Sequence, residues 1–375
     1  MPKYRFEEFA INSTKKKVPS EDEYSTYIGL EHLDTKSIYV KRWGSNVPII
    51  GEKLIMKKGD VLLGRRNAYL RRAAISPHDG VFSAHGMVLR PNEKLLDKDY
   101  FPLFISSDYF FDAVIKISVG SLSPTINWRD LKKLEFEIPS LPEQRRISKS
   151  LWAIIKTIEC YKDLINKSDE LIEGEMTKII TTDNNEEKTL DDISISWNKG
   201  QPFKKEELEE DGEFSCIHYG ELFTKYGPVI REVLSETNSK MIKGSNIGDI
   251  LFPASDVTPN GLARCSALMK GDVLLGGDMI IMRVKPDYDP IFVSYAINYQ
   301  KQQLLDRVTG SVVKHISAAS LKTVKIFIPN LERQNAFVEY ASKIEEAKQK
   351  AIAELNNLQN LYDSLINKTI TGKEE

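Results

Sequence analysis

Two long apolar stripes are the clearest pattern along this chain. In the first stripe, apolar residues follow one another in alternating steps of four and three positions, at Ile147, Leu151, Ile154, Ile158, Tyr161 and Ile165, and then at Ile172 and Ile179. The second stripe has the same register at Phe337, Ala341, Ile344, Ala351, Leu355, Leu358, Tyr362 and Leu365. Alternating steps of four and three are typical of a coiled-coil seam. We therefore predict two long helices that need an apolar partner, although Lys348 interrupts the second seam.

Shorter patterns predict a mixed, β-rich region before each long helix. Four segments have the pattern of strands, two by alternation of apolar and polar residues and two by a Gly-Asp turn before an apolar run: KLEFEI (133–138), TVKIFI (323–328), KKGDVLL (57–63) and SNIGDILF (245–252). Apolar residues at mixed steps of three and four predict additional helices around 99–117 and 290–307.

These patterns recur because the chain contains two copies of one unit. A shift of 190 positions aligns 99–147 with 289–337 without a gap, and nine of the last 29 aligned positions are identical. The identical residues in the first copy are Gly120, Ser121, Ile126, Leu131, Lys132, Ile138, Pro139, Leu141 and Gln144. Earlier in each copy the shift is 189, at which the Gly-Asp turn at 59–60 matches the one at 248–249, whereas a further Gly-Asp at 271–272 breaks the shift. The repeat therefore predicts two similar domains, each followed by a long helix.

The repeat sets the expected order of the chain. We predict a first domain over 1–140, a first long helix over 141–182, a second domain over 183–330 and a second long helix over 331–375. The fold class is α/β, of the α+β type, with two similar domains separated by two long antiparallel coiled-coil helices and an internal pseudo-two-fold repeat. A helix of about 38 residues spans roughly 57 Å, so the pair would hold the domains apart. In the alternative arrangement, each helix packs separately onto its own domain.

The same junction leads into both helices. It has the sequence IPSLPEQRRI at 138–147 and IPNLERQNAF at 328–337. Ser140 with Glu143 three residues later predicts a capping box, and Pro142 is tolerated in a first helical turn.

Composition and charge narrow the class of protein. With 375 residues, of which 41% are hydrophobic and 28% charged, the chain is long enough for two soluble domains. No apolar run approaches the roughly 18–20 residues of a membrane span, and the N-terminus lacks the apolar stretch of a signal peptide. The three cysteines lie far apart, which argues against a zinc finger or a disulfide scaffold and predicts a cytoplasmic protein.

The charge is unevenly distributed. The net charge of −2 argues against nucleic-acid binding, but between Val40 and Arg72 nine basic residues face only two acidic ones. A local excess of this size predicts an anionic partner. A solvated basic face without a partner is the plainer alternative.

Catalytic motifs are absent from the sequence. It has no GxxxxGK[ST] phosphate loop, no HExxH, and no Asn-Pro-Pro-Tyr or Asp-Pro-Pro-Tyr run of the kind an amino-methyltransferase needs. The five histidines are scattered, and a lone histidine is more often a satisfied or surface residue than a ligand. We therefore expect a recognition or scaffold protein with no catalytic residue and no metal site of its own.

The repeated junction resembles a segment of a known family. IPSLPEQRRISKSLWAIIKTIECYKDLI (138–165) is similar to the segment in which an apolar strand and Pro lead into P-x-x-E-Q-x-x-I and a long helix in the specificity (S) subunits of type I restriction–modification systems. LDDISISWNKGQPFKKEELEEDGEFSCIHYGELFTKYG (190–227) and GDILFPASD (248–256) resemble the openings of target-recognition domains in this family. The resemblance covers nearly the whole chain, although Glu332-Arg333 replaces Pro142-Glu143 in the second copy.

The resemblance implies a function and a set of partners. Each domain would be a target-recognition domain for one half of a bipartite, asymmetric site in double-stranded DNA. The paired helices would set the unread spacer and dock two methyltransferase subunits, which bind S-adenosylmethionine and methylate adenine. Separate motor–nuclease subunits would use ATP and Mg²⁺. No cofactor would be bound by this chain.

Candidate DNA contacts follow the Gly-Asp strands and lie in two Gly-Ser loops. In the first domain they are Arg65, Arg66, Asn67, Tyr69, Arg71 and Arg72, with Ser123, Thr125 and Asn127 in the loop. In the second domain they are Ser255, Asp256, Thr258, Asn260 and Arg264, with Lys314 and His315 in the loop. Arginine suits bidentate readout of guanine and asparagine suits adenine, and either residue type also contacts phosphate. Because matched positions carry different residues, we expect two different half-sites.

Other functions stay open from the sequence. The chain could serve a related methyltransferase or a type II-like system, or it could be a fused or divergent catalytic methyltransferase or nuclease. It could also be a scaffold whose heptads serve protein partners alone.

Overall fold

The fold is taken from a computed structural model, which describes residues 1–182, 185–240 and 242–371. The chain divides into two units: Met1–Lys162 with the segment that starts at Ile352 form unit 1, and Asp163–Ala351 form unit 2. Each unit thus contains one half of each long helix. The predicted boundaries of the four segments stay predictions, because this division follows compactness and not the order of domain and helix.

Unit 1 combines small sheets with short helices. Its strands are β1 (Lys3–Arg5), β2 (Ala10–Ser13), β3 (Lys16–Lys17), β4 (Tyr27–Ile28), β5 (Lys53–Met56), β6 (Val61–Gly64), β7 (Ala73–Ile75), β8 (Gly80–Phe82), β9 (Gly86–Pro91) and β10 (Glu135–Glu137). Its helices are α1 (Phe6–Phe9), α2 (Tyr100–Ser106), α3 (Asp108–Lys116), α4 (Trp128–Leu131) and the first part of α5 (Leu141–Thr181), with 3-10 turns at Glu21–Thr26, Leu30–His32 and Ala68–Leu70. The sheets have the orders β2-β9-β6-β7, β3-β5-β8-β4 and β1-β10.

Unit 2 repeats this plan. Its strands are β11 (Glu186–Thr189), β12 (Ser194–Lys199), β13 (Phe214–His218), β14 (Val229–Ile230), β15 (Ser235–Thr237), β16 (Asp249–Pro253), β17 (Ser255–Asp256), β18 (Ser266–Leu268), β19 (Leu274–Gly276), β20 (Met279–Val284), β21 (Lys314–His315) and β22 (Lys325–Ile328). Its helices are α6 (Leu190–Ile193), α7 (Glu221–Thr224), α8 (Pro259–Leu262), α9 (Pro290–Tyr299), α10 (Lys301–Leu305), α11 (Ala318–Lys322) and the first part of α12 (Leu331–Thr371), with a 3-10 turn at Lys205–Glu207. The sheets have the orders β12-β20-β16-β18-β14, β15-β13-β19, β17-β21 and β11-β22.

The strand orders confirm the internal repeat. The order β2-β9-β6-β7 in unit 1 corresponds to β12-β20-β16-β18 in unit 2, and all of these neighbours are antiparallel in both units. The two-stranded sheet β1-β10 likewise corresponds to β11-β22. In each unit the first strand therefore pairs with the strand that precedes the long helix. The mixed helix and strand content also confirms the α+β class.

A matched ion pair anchors the Gly-Asp turn in each unit. In unit 1 the guanidinium of Arg90 donates to both carboxylate oxygens of Asp60, at 2.6 and 2.7 Å. In unit 2 Arg283 makes the same two bonds to Asp249, at 2.9 and 3.0 Å. The aspartate side chains are only 7% and 2% exposed. The pairing of 59–60 with 248–249, predicted from the repeat at a shift of 189 positions, is therefore confirmed.

The long helices meet antiparallel within each unit. In unit 1, Leu151 near the start of α5 shares a hydrophobic core with Ile370 near the end of α12. In unit 2, Ile179 at the end of α5 shares a core with Phe337 at the start of α12. These cores also contain the apolar residues of the sheets. The helices therefore both pair with each other and pack onto the domains, which combines the two arrangements considered from the sequence.

The buried seam departs from the predicted one once in each helix. Ile155 is buried where the heptad pattern predicted Ile154, and Ile366 is buried where it predicted Leu365. Both belong to the core of unit 1, because the helices pack against the domain as well as against each other. Lys348, the expected interruption, extends its ammonium to the carboxylate of Asp169 on α5 at 2.5 Å. An ion pair across the helices thus replaces an apolar contact at that position.

A buried glutamine joins the start of α5 to the domain. The side-chain amide of Gln144 donates to the carbonyls of Leu95 (3.0 Å) and Pro139 (2.8 Å). Its side-chain oxygen accepts from the backbone N–H of Asp97 at 2.7 Å. The side chain lies fully inside the protein, and one buried and two partly buried polar groups of the domain depend on it.

Gln334 has the matching role in unit 2. Its amide donates to the carbonyl of Pro329, and its oxygen accepts from the backbone N–H of Asp289, both at 2.9 Å. The helix caps differ between the copies. Asn330 accepts from the backbone N–H of Arg333 at 3.0 Å, whereas in the described part of the chain no hydrogen bond forms the capping box predicted at 140–143. There the Glu143 side chain pairs with Arg146 at 3.1 Å instead.

Candidate nucleic-acid interface

In unit 1 the residues that follow the Gly-Asp strand lie against the Gly-Ser loop. We call residues 65–72 the contact segment of unit 1 and 120–127 its Gly-Ser loop. Arg66 forms an antiparallel backbone bridge with Thr125, and the N–H of Ile126 donates to the carbonyl of Arg65 at 3.0 Å. The two groups of candidate residues, about 60 positions apart in the sequence, are thereby brought together.

Unit 2 has the equivalent arrangement. Its contact segment, residues 255–264, begins with β17, and its Gly-Ser loop, residues 310–317, contains β21. In this antiparallel pair Ser255 lies opposite His315 and Asp256 lies opposite Lys314. The bridge between Arg66 and Thr125 in unit 1 occupies the same place in the repeat.

Three candidates of unit 1 present side chains with no partner in the described part of the chain. Arg66 is exposed and Tyr69 is 55% exposed. Asn67 is partly exposed in the left-handed conformation, with φ of 54°, which asparagine tolerates better than most residues. None of the three makes a side-chain hydrogen bond or ion pair there, so their polar atoms are available to a ligand.

Of the three other candidate arginines in unit 1, Arg65 and Arg71 are engaged inside the unit, whereas Arg72 is not engaged by any of the described residues. Arg65 donates to the carbonyl of Ile126 (2.9 Å) and to the side-chain oxygen of Asn127 (3.2 Å). Arg71 bonds the carboxylates of Asp108 and Asp112. Arg72 is partly buried, and its Nε atom has no hydrogen-bond partner among the described residues. That these arginines also contact DNA stays a prediction.

The remaining loop candidates of unit 1 differ in exposure. Ser123 is exposed, and its carbonyl accepts from the hydroxyl of Thr125 at 2.9 Å. Asn127 is half-buried, and its side-chain oxygen accepts the hydrogen bond from Arg65. Ser123 is thus the most accessible of the three.

In the contact segment of unit 2, Asn260 is exposed and has no side-chain partner among the described residues. Ser255 is 9% exposed. The hydroxyl of Thr258 donates to the carboxylate of Asp256 at 2.7 Å and accepts from the N–H of Gly261 at 3.3 Å, which caps α8. Thr258 and Asp256 therefore shape a turn that presents Asn260.

Arg264 holds its own unit together. Its guanidinium donates to the carbonyls of Leu222 (3.0 Å) and Phe223 (3.2 Å) and lies 5.9 Å from the centre of the Phe223 ring. In the loop, the Lys314 ammonium bonds the carbonyls at positions 310 and 311. His315 is exposed.

The basic stretch of unit 1 is partly neutralised by acids from elsewhere in the unit. Three of its nine cations, Lys41, Arg42 and Arg71, pair with carboxylates outside the stretch. The remaining positive charge acts on the imidazole of His85. Burial lowers the pKa of His85, and the positive charges of Arg66, Arg65 and Lys53 lower it further.

His85 adjoins the contact segment of unit 1, a position that the sequence did not indicate. Its backbone carbonyl accepts from the N–H of Arg65 at 3.1 Å, which places it at the start of the contact segment. No pattern in the sequence marks this position, because a lone histidine 20 positions from Arg65 has no local motif. The side chain lies where several cations converge.

The described residues contain neither a group of potential metal ligands nor a helix that could cross a membrane. Among residues 1–182, 185–240 and 242–371, no three His, Cys, Asp or Glu side chains are grouped as metal ligands would be. Within the same ranges no helix has both the length and the apolar character that crossing a membrane requires.

Relatives that this chain resembles along most of its length are described as specificity subunits. The M. jannaschii (Methanocaldococcus jannaschii) protein described as the MjaX specificity subunit is 26% identical over 349 residues, covering 84% of this chain and 78% of the relative. The type I restriction enzyme MjaVIII specificity subunit of the same organism is 22% identical over 380 residues, covering 93% and 86%.

Solved structures share the fold. The crystal structure of the S subunit of a type I restriction–modification system from M. genitalium superposes with a TM-score of 0.66 at 15% identity, covering 98% of this chain and 96% of the other. A chain from a structure on complex assembly and conformational transition of a type I system gives a TM-score of 0.55 at 16% identity, covering 99% and 97%.

A family model assigns both halves. The model described as "Type I restriction modification DNA specificity domain" matches residues 11–168 and again 182–358. Each match contains one contact segment, its Gly-Ser loop and part of a long helix. The chain therefore belongs to the type I restriction modification DNA specificity family and carries two of its domains.

Proposed function

We propose that this chain is the DNA sequence-recognition subunit of a type I restriction–modification complex. The observation that carries the proposal is the pairing of a contact segment with a Gly-Ser loop in both units, in a chain whose two halves each match the DNA specificity domain. Each unit then contributes one small surface of hydrogen-bonding side chains, and the two surfaces read the two halves of a bipartite target.

The two half-sites differ because the two surfaces differ. Unit 1 presents Arg66, Asn67 and Tyr69, whereas unit 2 presents Asn260 and His315. Arginine forms bidentate hydrogen bonds with guanine and asparagine does so with adenine. A chain with different donors and acceptors at matched positions recognises an asymmetric site.

Catalysis belongs to the partner subunits in this proposal. Methyltransferase subunits, two per chain, bind S-adenosylmethionine and modify adenine, and motor–nuclease subunits use ATP and Mg²⁺. The paired helices dock the methyltransferase subunits, and the complex works in the cytoplasm, where its DNA target is. The relatives named as specificity subunits support this division of labour.

The alternatives make different predictions. A divergent methyltransferase would bind S-adenosylmethionine as the purified chain, and the family match does not favour it. A scaffold without a DNA role would show no sequence-selective binding. A related methyltransferase or type II-like system would give the same DNA readout and would differ only in its partner subunits.

Selection from a random duplex pool tests the proposal. The full-length chain, assembled with its methyltransferase subunits, is used to enrich bound duplexes, and the adenines methylated in the source organism are mapped for comparison. We expect two different half-sites separated by an unread spacer of fixed length. Enrichment of a single palindromic site, or of no sequence at all, would contradict the proposal.

Arg66 is the first residue to vary. We expect Arg66→Ala to weaken specific binding by about 1–3 kcal/mol if the guanidinium reads a base, with preference relaxed at one position of one half-site. If it contacts phosphate instead, binding weakens for all sequences and the salt slope falls by about 1. Fluorescence titration over a range of salt concentrations distinguishes the two.

The matched control for Arg66 is Arg5→Ala, which removes an exposed arginine whose only ion pair with the described residues is a long one to Glu135, at 4.0 Å. Arg66 is preferred to Arg65 and Arg71, because replacing either of those also breaks bonds that hold unit 1 together. Equal DNA affinity of Arg66→Ala and wild type would remove Arg66 from the interface.

The long helices set the spacer in this proposal. Inserting seven residues after Lys162 in α5 and seven before Ile352 in α12 preserves the four–three apolar pattern. Each helix lengthens by roughly 10.5 Å, close to three base-pair steps of about 3.4 Å. We expect selection to recover the same half-sites with about three additional base pairs between them.

The control for this experiment is an insertion into α5 alone, which shifts one seam against the other and should impair binding to every spacer. An unchanged spacer with the matched double insertion would mean that the helices do not set it.

A further inference from the structure

The tip of each Gly-Ser loop carries a strongly exposed aliphatic side chain. Leu122 in unit 1 is 95% exposed and Val312 in unit 2 is 82% exposed. Single exposed apolar residues are common on protein surfaces and need no explanation by themselves. These two, however, occupy the same position of the repeat, 190 residues apart.

The loops hold their tips in a defined conformation. In unit 1, Val119 and Thr125 exchange two backbone hydrogen bonds, at 2.9 and 3.0 Å. In unit 2, Thr309 and His315 exchange the same two, at 2.8 and 2.9 Å. The glycine after the first of these residues has φ of 111° in one loop and 99° in the other, a conformation that favours glycine. Each tip is thus a short two-stranded ribbon that is closed by a pair of backbone hydrogen bonds.

The surrounding loop has diverged between the copies while the tip stayed aliphatic. Of the eight aligned positions from 119 and 309 onward, five differ, and they exchange serine for valine, proline for lysine and threonine for histidine. At the tip itself, leucine is replaced by valine, which keeps two exposed methyl groups. Solvation alone would favour a polar residue at so exposed a position.

The tips extend from the proposed DNA-binding surfaces. Thr125, three positions after Leu122, pairs with the backbone of Arg66. His315, three positions after Val312, pairs with the backbone of Ser255. A two-stranded ribbon fits the major groove, where the C5-methyl group of thymine is the apolar feature among polar base edges.

We propose that Leu122 and Val312 are specificity-determining residues that contact thymine methyl groups, one in each half-site. The inference rests on the proposed function and adds to it an apolar contact in each unit. Because the contact is apolar, it contributes to base preference without changing the number of phosphates that the chain neutralises.

Variants of the full-length chain test this inference by selection and titration. Leu122→Ser is expected to flatten preference in one half-site and Val312→Ser in the other, each with about a tenfold loss of specific affinity. The salt slope and the affinity for unrelated DNA should stay unchanged. The matched controls are Val18→Ser and Ile195→Ser, which remove side chains that are 67% and 58% exposed outside the loops.

The decisive measurement replaces thymine with uracil in the selected site, because this removes the methyl group alone. At one thymine per half-site, uracil should lower wild-type affinity about fourfold and should leave the corresponding serine variant unaffected. Affinity that is insensitive to uracil at every thymine, or variants with wild-type base preferences, would overturn the inference alone. A wild-type chain without base preference would overturn the proposed function as well.

Discussion

Replacing Arg283 with methionine is expected to lower the free energy of unfolding of unit 2 by about 3–5 kcal/mol. The substitution leaves the Asp249 carboxylate, whose side chain is 2% exposed, without the guanidinium that donates to both of its oxygens. A backbone N–H from Asn246 remains as a donor at 2.8 Å, but one neutral hydrogen bond does not compensate a buried charge. Hydrogen exchange resolved by peptide measures the loss, and peptides of unit 1 provide an internal reference.

A second substitution separates the cost of an unpaired charge from the value of the pair. In Arg283→Met with Asp249→Leu, most of the lost stability should return, because apolar residues of similar volume often replace a buried ion pair at little cost. The matched variant Arg90→Met should cost unit 1 less, since the Asp60 side chain is more exposed, at 7%. If the single and double variants of unit 2 were equally unstable, the buried charge would not be the cause.

The second large effect is expected at the junction between domain and helix. Gln144→Leu keeps the side-chain volume but leaves two carbonyls and one backbone N–H of unit 1 without a partner. Each buried, unsatisfied group costs about 1–3 kcal/mol before relaxation, so we expect a total loss of about 3 kcal/mol. Gln334→Leu leaves one carbonyl and one N–H without a partner, and should lower the free energy of unfolding of unit 2 by about 2 kcal/mol.

Gln349→Leu is the matched control, because Gln349 is exposed on α12 and its side chain bonds, within the described ranges, only Glu345 one turn away, at 2.8 Å. It should change stability by less than about 0.5 kcal/mol. Thermal and denaturant unfolding, followed with hydrogen exchange, compare the three variants. Losses at 144 and 334 no greater than at 349 would show that the junction relaxes to satisfy its polar groups.

The sequence predicted the parts of the fold that repeat or that have a period. The four–three spacing predicted both long helices, and their first residues, Leu141 and Leu331, are where the junction motif placed them. The internal repeat, at a shift of 189 positions in this part of the chain, predicted that the Gly-Asp turns at 59–60 and 248–249 are equivalent, and the matched ion pairs confirm it. Periodicity and self-similarity are properties of the chain alone, so no long-range contact was needed to find them.

The sequence did not predict which candidate side chains are engaged within the protein. Arg66 and Arg71 have the same chemistry and lie five positions apart, yet Arg66 is free of ion pairs in the described part of the chain while Arg71 bonds Asp108 and Asp112. Arg264, a candidate DNA contact in the polar run of the second domain, donates to the carbonyls of two residues 42 and 41 positions earlier. Such pairings depend on which segments the fold brings together, and sequence distance says nothing about that.

The sequence by itself determined the two-copy architecture, the paired helices and the family, because these follow from spacing and repetition. Only the tertiary structure decided that each contact segment pairs with its Gly-Ser loop, that Gln144 and Gln334 bond the domains to their helices, and that Leu122 and Val312 are exposed at the loop tips. The physical reason is that hydrogen bonding and burial are settled by contacts between residues far apart in the chain, where no local pattern records them.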